Sequence, residues 1–272
     1  MNSLPYIYYF YVATDVIFKC ITFHKEKDGL YYMKVNSKRL ILYVLGLFCL
    51  SFGVSLSIQA GLGVSPVSSL AYAISLTNGL SVGVTTILAN VLFIVIQILL
   101  NKRIEFQESA VQLIVALLFG FFMDATLFLV QLFPAPETIL ARFLFLVASL
   151  FVVAAGLLGY FTAKLPLMPY DALTYAISEK FKLKFSKAKI TSDLINVGVA
   201  GAVCMIFIQS LGSIGIGTIV AAYFIGKILG WMIPHCQKPM QQWVFKMEKV
   251  ENPISAGIGR KLAGAQTKKR PL

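Results

Sequence analysis

Charge is what this sequence has least of: Asp, Glu, Lys and Arg make up 13% of its 272 residues, about half the share of a soluble domain. The 58% of hydrophobic residues fall instead in long unbroken runs, so the solvent that fits is a bilayer. Histidine is rarer still. His24 and His235 stand in basic flanking segments with no partner at ligand spacing, so no metal site is expected. The four cysteines, Cys20, Cys49, Cys204 and Cys236, show no CxxC or Cys/His spacing. Cys49 and Cys204 lie inside apolar runs, where a small polarizable side chain packs. No Ser/His/Asp arrangement, HExxH or carboxylate pair at catalytic spacing occurs, which speaks against an enzyme. Gly61-Leu62-Gly63 and Gly215-Ile216-Gly217 follow no strand and complete no GxGxxG, so no nucleotide or other cofactor is expected.

What is present is a set of apolar runs. Six reach the roughly 20 residues that a helix needs to cross a hydrocarbon core about 30 Å thick. They are Leu40–Ile58, Val84–Leu100, Ser109–Leu132, Ile139–Thr162, Ile190–Gln209 and Ser213–Pro234. The net charge of +12 sits between these runs, not along one face, so it argues for topology and against a nucleic-acid partner. Of the 24 Lys and Arg residues, all but Arg142 and Lys227 precede the first run, follow the second, lie between the fourth and fifth, or follow the sixth. Basic residues in short connections resist translocation, so that face is predicted to be cytoplasmic and to hold both termini.

The chain therefore divides into an N-terminal cytoplasmic or interfacial segment (1–39), two three-span units (40–132 and 139–234) and a basic cytoplasmic tail (235–272). Leu4–Phe23 is apolar and aromatic but holds Asp15 and Lys19. It reads as a tyrosine-rich interfacial segment or as an extension ahead of a start at Met33, with a seventh span as the alternative. It lacks the basic flank and small-residue cleavage site of a secretory signal. The tail from Glu251 has the composition of a disordered end.

The two three-span units resemble each other. Ser65-Pro66-Val67-Ser68-Ser69-Leu70-Ala71-Tyr72-Ala73-Ile74-Ser75 matches Met168-Pro169-Tyr170-Asp171-Ala172-Leu173-Thr174-Tyr175-Ala176-Ile177-Ser178, at the 103-residue offset that carries Pro66 to Pro169. At that offset Ala60 meets Ala163, Ile87 meets Ile190 and Asn90 meets Asp193. An odd number of spans per unit turns the second copy upside down in the membrane. The expected fold is an all-α membrane protein of six transmembrane helices in two inverted three-helix repeats. Each repeat would carry a short re-entrant or interfacial helix started by proline, with Ser65 a possible cap for the first. Broken segments in corresponding positions of two halves point to a transporter site, and a half-helix start offers free N–H groups to an anion.

Polar residues within the runs complete the candidate set. Asp124 lies two-thirds of the way through the third run, where a carboxylate must be paired, protonated or wet. Asp124 reads as a coupling or substrate site, or equally as a structural bridge or an interfacial residue near the outer boundary. Lys227 in the sixth run, within about 10 Å of it in depth, is the partner to test, though the favoured reading of Lys227 is snorkelling to the inner face. Asn90 and Asp193 line a shared cavity or join neighbouring helices by hydrogen bonds. The candidate cavity-lining residues are then Ser65, Pro66, Ser68, Asn90, Asp124, Pro169, Asp171 and Asp193. Gly226 and Gly230 make a GxxxG step of the kind that lets helices approach closely.

Taken together, Ala60-Gly61-Leu62-Gly63-Val64-Ser65-Pro66, Gly120-Phe121-Phe122-Met123-Asp124, Pro169-Tyr170-Asp171-Ala172-Leu173, Ala188-Lys189-Ile190 up to Asp193, and Gly215-Ile216-Gly217-Thr218 up to Gly226 resemble the bacterial YczE/YyaS/YitT-like membrane proteins. The resemblance runs from about Lys38 to Pro234 and implies a multi-pass protein of the bacterial inner membrane. Some of those proteins carry an acidic residue where this chain has Ser68; the second copy keeps one as Asp171. The expected function is a permease or exporter of an unknown small molecule, working by rocking one half against the other. The alternative is a membrane scaffold or maturation factor without transport, whose Lys180–Lys189 loop and basic tail contact anionic lipid or a partner.

Overall fold

The computed structural model describes residues 37–103 and 105–245. The readings made for Leu4–Phe23 and for the tail from Glu251 fall outside the described residues. Among the described residues the chain is all helical, and six helices are long and apolar enough to cross a membrane.

The helices are α1 (Ser37–Ala60), α2 (Pro66–Asn78), α3 (Val82–Asn101), α4 (Phe106–Gln131), α5 (Ile139–Thr162), α6 (Pro169–Lys180), α7 (Phe185–Ile208), α8 (Ile216–Met232) and, after a π-helical turn at Ile233–Gln237, α9 (Lys238–Val244). All six expected runs lie on the long helices, and Ile139–Thr162 coincides with its helix end to end. The largest difference is at α7, which begins at Phe185, five residues before the apolar run. Lys187 and Lys189 end a hydropathy run, but lysine is a good helix former, so the helix continues through them. Pro66 and Pro169 start the two short helices, where a missing N–H costs nothing. Ser65 precedes Pro66 in extended conformation but makes no side-chain cap bond. Gly79 stops α2 in the left-handed conformation, its N–H returning to the Ser75 carbonyl.

The centre of the bundle is the crossing of α1 and α5, where backbones touch. A Cβ added at Gly46 would lie 2.5 Å from the Tyr160 nitrogen, and one at Gly156 would lie 2.5 Å from the Leu50 nitrogen. Around this pair, α4 packs on α1 and α3, and α8 packs on α5. The short helices change sides: α2 lies against α7, and α6 lies against α3.

These contacts come in matched pairs at the 103-residue offset. Gly46 meets the Gly156 carbonyl, and Gly53 meets the Ser149 carbonyl; adding 103 to the first number and subtracting it from the second turns one pair into the other. The same operation turns Val67 with Asn196 into Tyr170 with Phe93, both pairs in contact. Ser75 donates to the Leu80 carbonyl and Ser178 to the Leu183 carbonyl, while Gly61 and Lys164 share a left-handed backbone.

Both short helices start deep in the bundle. Asn196, at the middle of α7, donates to the Pro66 carbonyl (2.6 Å) and the Val67 carbonyl (3.1 Å). Tyr170 packs its ring on Phe93, near the middle of α3, with centroids 5.2 Å apart. Between α5 and α6 the chain climbs back along α1. Arg39 holds the Ala163 and Lys164 carbonyls, Tyr43 one turn on holds the Pro166 carbonyl, and the Tyr160 hydroxyl accepts from Met168 N–H. Helix α6 then runs out again, until the ammonium of Lys180 reaches the Leu100 carbonyl at the end of α3.

Four of the long helices bury about half of their span residues, but α7 and α8 bury only about a fifth. The GxxxG step is on that open side: nothing lies within 4 Å of a Cβ built at Gly226 or Gly230. Close approach is made instead by Gly46 with Gly156 and by Gly83 with Gly120.

Candidate functional site

The start of α6 carries a charged cluster. Asp171, in its first turn, is buried and accepts from the ammonium of Lys189 at 3.1 Å. The same ammonium is 3.7 Å from Asp193, one turn along α7, and stands 4.2 Å from the centre of the Tyr170 ring. The Tyr170 hydroxyl donates to Asp193 at 2.5 Å. Two carboxylates thus share one lysine, and a tyrosine both covers the lysine and bonds one carboxylate. Such a buried set is stable only because each charge has a partner. Its remaining negative charge lies at the N-terminal end of α6, where the helix dipole favours it.

The start of α2 carries the corresponding positions without charge. Ser68, Thr86 and Asn90 stand at the 103-residue offset from Asp171, Lys189 and Asp193. Asn90 donates to the Thr86 carbonyl at 2.9 Å, one turn back on its own helix, as Lys189 and Asp193 sit one turn apart on α7. Ser65 donates to Ser68 at 3.4 Å, and Ser69 to the Pro66 carbonyl at 2.7 Å. Of the residues singled out from sequence, Asp171 and Asp193 are therefore brought together beside Pro169, and Ser65, Pro66 and Ser68 form the neutral counterpart at the other short helix. Asn90 is buried and turned onto its own backbone.

Asp124 belongs to neither group. Its Oδ2 accepts from Ser81 Oγ and its Oδ1 from Gly83 N–H, both at 2.7 Å. It thus completes the cap of α3, whose Ser81 also accepts from Val84 N–H at 3.2 Å. The glycine backbones of Gly83 and Gly120 are in contact at this point, which leaves the carboxylate one turn away with donors in reach. A pairing of Asp124 with Lys227 does not form: Lys227 is exposed and bonds the Tyr223 hydroxyl, lying 4.2 Å over that ring. A lysine four residues after a tyrosine meets it on the same helix face, which removes the need for a distant carboxylate. Asp124→Ala is accordingly expected to lower stability by about 0.5–2 kcal/mol, the range for a lost helix cap, as thermal unfolding of the purified variant would show.

Lys189, Tyr170 and Asn196 were not among the candidates. Lys189 counts among the basic residues that set topology; its one-turn spacing from Asp193, a Lys and an Asp at i and i+4 at the start of a span, is the signal. Asn196 carries a weaker one: like Asn90, it is an asparagine in the middle of an apolar run. Of the basic loop, Lys180 and Lys189 are committed to the bundle, while Lys182, Lys184 and Lys187 remain exposed.

Residues 37–234 match the model of a family described as "Family of unknown function (DUF6198)". The chain is 28% identical over 194 residues to the uncharacterized protein YyaS of Bacillus subtilis (strain 168), covering 71% of this chain and 90% of that protein. It is 28% identical over 193 residues to the uncharacterized membrane protein YczE of the same organism, covering 71% and 84%. An uncharacterized protein of Haemophilus influenzae matches at 20% identity over 196 residues, covering 72% and 84%. No solved structure matches the chain.

Proposed function

The chain belongs to the DUF6198 family of YczE/YyaS-like proteins, and from that premise we propose that this membrane protein is a small-molecule permease or exporter built from two inverted three-helix halves. The observation that carries the reading is the cluster of Asp171, Lys189, Asp193 and Tyr170 at the deep start of a short helix. Charged groups within a membrane protein are costly, and where they persist they mark substrate or proton pathways.

The matched contacts support the inversion. An interchange of residue numbers by 103 that maps contacts onto one another is what a two-fold relation between halves produces. The two short helices act as re-entrant elements, entering from opposite faces and ending their approach at mid-length of a helix from the other half. Irregular backbone at such depth survives where protein or a water-filled cavity satisfies it, as Arg39, Tyr43 and Tyr160 do for 163–168. In the substrate-free protein Lys189 serves as the resident counter-ion of both carboxylates. A substrate or proton arriving from one face redistributes those contacts, and the halves rock on the α1/α5 crossing to open the other face. The protein resides in the bacterial inner membrane, with both termini cytoplasmic.

Two measurements test this. Single cysteines at Ser68 and Ala172, in cells carrying an otherwise cysteine-free chain, are expected to react with an impermeant maleimide from opposite compartments; reactivity from one compartment would sink the inversion. Metabolite comparison of a deletion strain, then thermal-shift screening of the hits, is expected to yield a ligand whose flux into vesicles is lost in Asp193→Asn at wild-type protein level. A function that survives Asp193→Asn but is lost on neutralising Lys182, Lys184 and Lys187 would favour the scaffold, since those lysines lie exposed for anionic lipid.

A further inference from the structure

A second polar group lies apart from the Asp171 cluster, where α3 ends and α4 begins. Gln97, one turn before the end of α3, and Gln112, in the second turn of α4, both aim their amide nitrogens at Glu108 Oε1, at 3.5 Å and 3.1 Å. Either amide in the reverse orientation would set its carbonyl against the carboxylate, so Glu108 fixes which way both face. The amide oxygens are then left over. Gln112 is 1% exposed and Gln97 is 9% exposed, and the Oε1 of each is buried with no hydrogen-bond partner.

A buried carbonyl oxygen without a donor costs about 1–3 kcal/mol, and here two of them belong to amides that bond the same carboxylate oxygen. Carbonyl and carboxylate oxygens are the ligands that hard cations take. The Glu108 carboxylate would supply the anionic ligand of such a set. Glu108 is half-buried, so the group is reachable from the end of the bundle that carries Lys102 and Lys180.

We propose that Gln97, Glu108 and Gln112 form a binding site for a small monovalent cation, held by the two amide oxygens and the Glu108 carboxylate. The cation fastens the end of α3 to the start of α4. Helix α3 also carries Phe93 against Tyr170 and receives Lys180 of α6 at Leu100, so occupancy bears directly on the helix that holds the charged cluster. The inference stands apart from the permease reading, because binding is measured on the detergent-purified protein with no flux.

The experiment is thermal unfolding of the full chain in LiCl, NaCl, KCl and N-methylglucamine chloride at one constant ionic strength. At least one alkali cation is expected to raise the midpoint, rising with the logarithm of its concentration above half-saturation. The organic cation, too large for the site, should not. Gln112→Leu is expected to abolish the cation-specific shift. Gln112→Glu, which adds a second carboxylate in place, is expected to keep the shift and lower the half-saturating concentration by about tenfold, and it serves if the leucine variant fails to fold. Superimposed curves in all four salts, water alone satisfying the two oxygens, would overturn the proposal. So would a shift retained in folded Gln112→Leu, or one unchanged in Gln112→Glu.

Discussion

Alanine at Gly156 is expected to lower the thermal stability of the purified protein sharply, and alanine at both Gly46 and Gly156 to prevent its accumulation in folded form. The reason is that the new methyl group meets backbone, not side chain. At Gly156 it would lie 2.5 Å from the Leu50 nitrogen and 2.8 Å from its Cα; at Gly46 it would lie 2.5 Å from the Tyr160 nitrogen. A crowded side chain can change rotamer, but a crowded helix backbone can only move as a whole. The cost of one such insertion is therefore at or above the upper end of the usual overpacking range of about 1–3 kcal/mol. In a bilayer the loss is hard to recover, because helix association there rests on close van der Waals packing. Gly226→Ala and Gly230→Ala are the controls: open space surrounds both, so each should change stability by less than about 0.5 kcal/mol. Fluorescence-detected size exclusion across a temperature series reads all four variants. Equal loss at Gly226 and Gly156 would mean that the α1/α5 crossing is not the axis of the bundle.

The same glycines show what a sequence reveals about a membrane fold and what it hides. Apolar runs identify the long helices because lipid imposes their length, and the Pro66/Pro169 match exposes the two short ones because a duplicated string survives divergence. GxxxG spacing, in contrast, states only that a helix has a smooth face. It marks Gly226 and Gly230, which touch nothing, and misses Gly46 with Gly156, whose partners are 110 residues apart in the chain. The candidate site divides in the same way. Asp171 and Asp193 are legible as carboxylates in apolar surroundings. Lys189 is hidden because the same lysine satisfies the charge rule for topology, and Tyr170 because an aromatic residue at a helix start has no distinctive spacing. The bond of Asp124 to Ser81, 43 residues earlier, is equally hidden, since nothing local in the run names its partner. Hydrogen bonds between distant segments decide these cases, and no local pattern encodes them.

Lys189→Met is expected to be the most damaging single change in the charged cluster, and its rescue to be the sharpest test of what that cluster does. Methionine keeps much of the length of the lysine stem but removes the charge, leaving the side chains of Asp171 and Asp193, 10% and 23% exposed, without a cation. Breaking a buried ion pair by removing one partner costs about 3–5 kcal/mol, so the variant should unfold at a clearly lower temperature or recover by protonating a carboxylate. The chain itself supplies the remedy. Asp171→Ser, Lys189→Thr and Asp193→Asn together install in the second half what the first half holds at Ser68, Thr86 and Asn90. Replacing a whole buried ionic set by groups of fitting shape is often neutral or stabilising, so the triple variant should regain most of the stability lost in Lys189→Met. If the charges are there for the fold, that protein is active as well as stable. If they bind and move a substrate, it is stable and inert, with no ligand-induced shift and no flux. Stability at the wild-type level in Lys189→Met would show that the ammonium is not the counter-ion of the two carboxylates, and flux in the triple variant would move the substrate site elsewhere in the bundle.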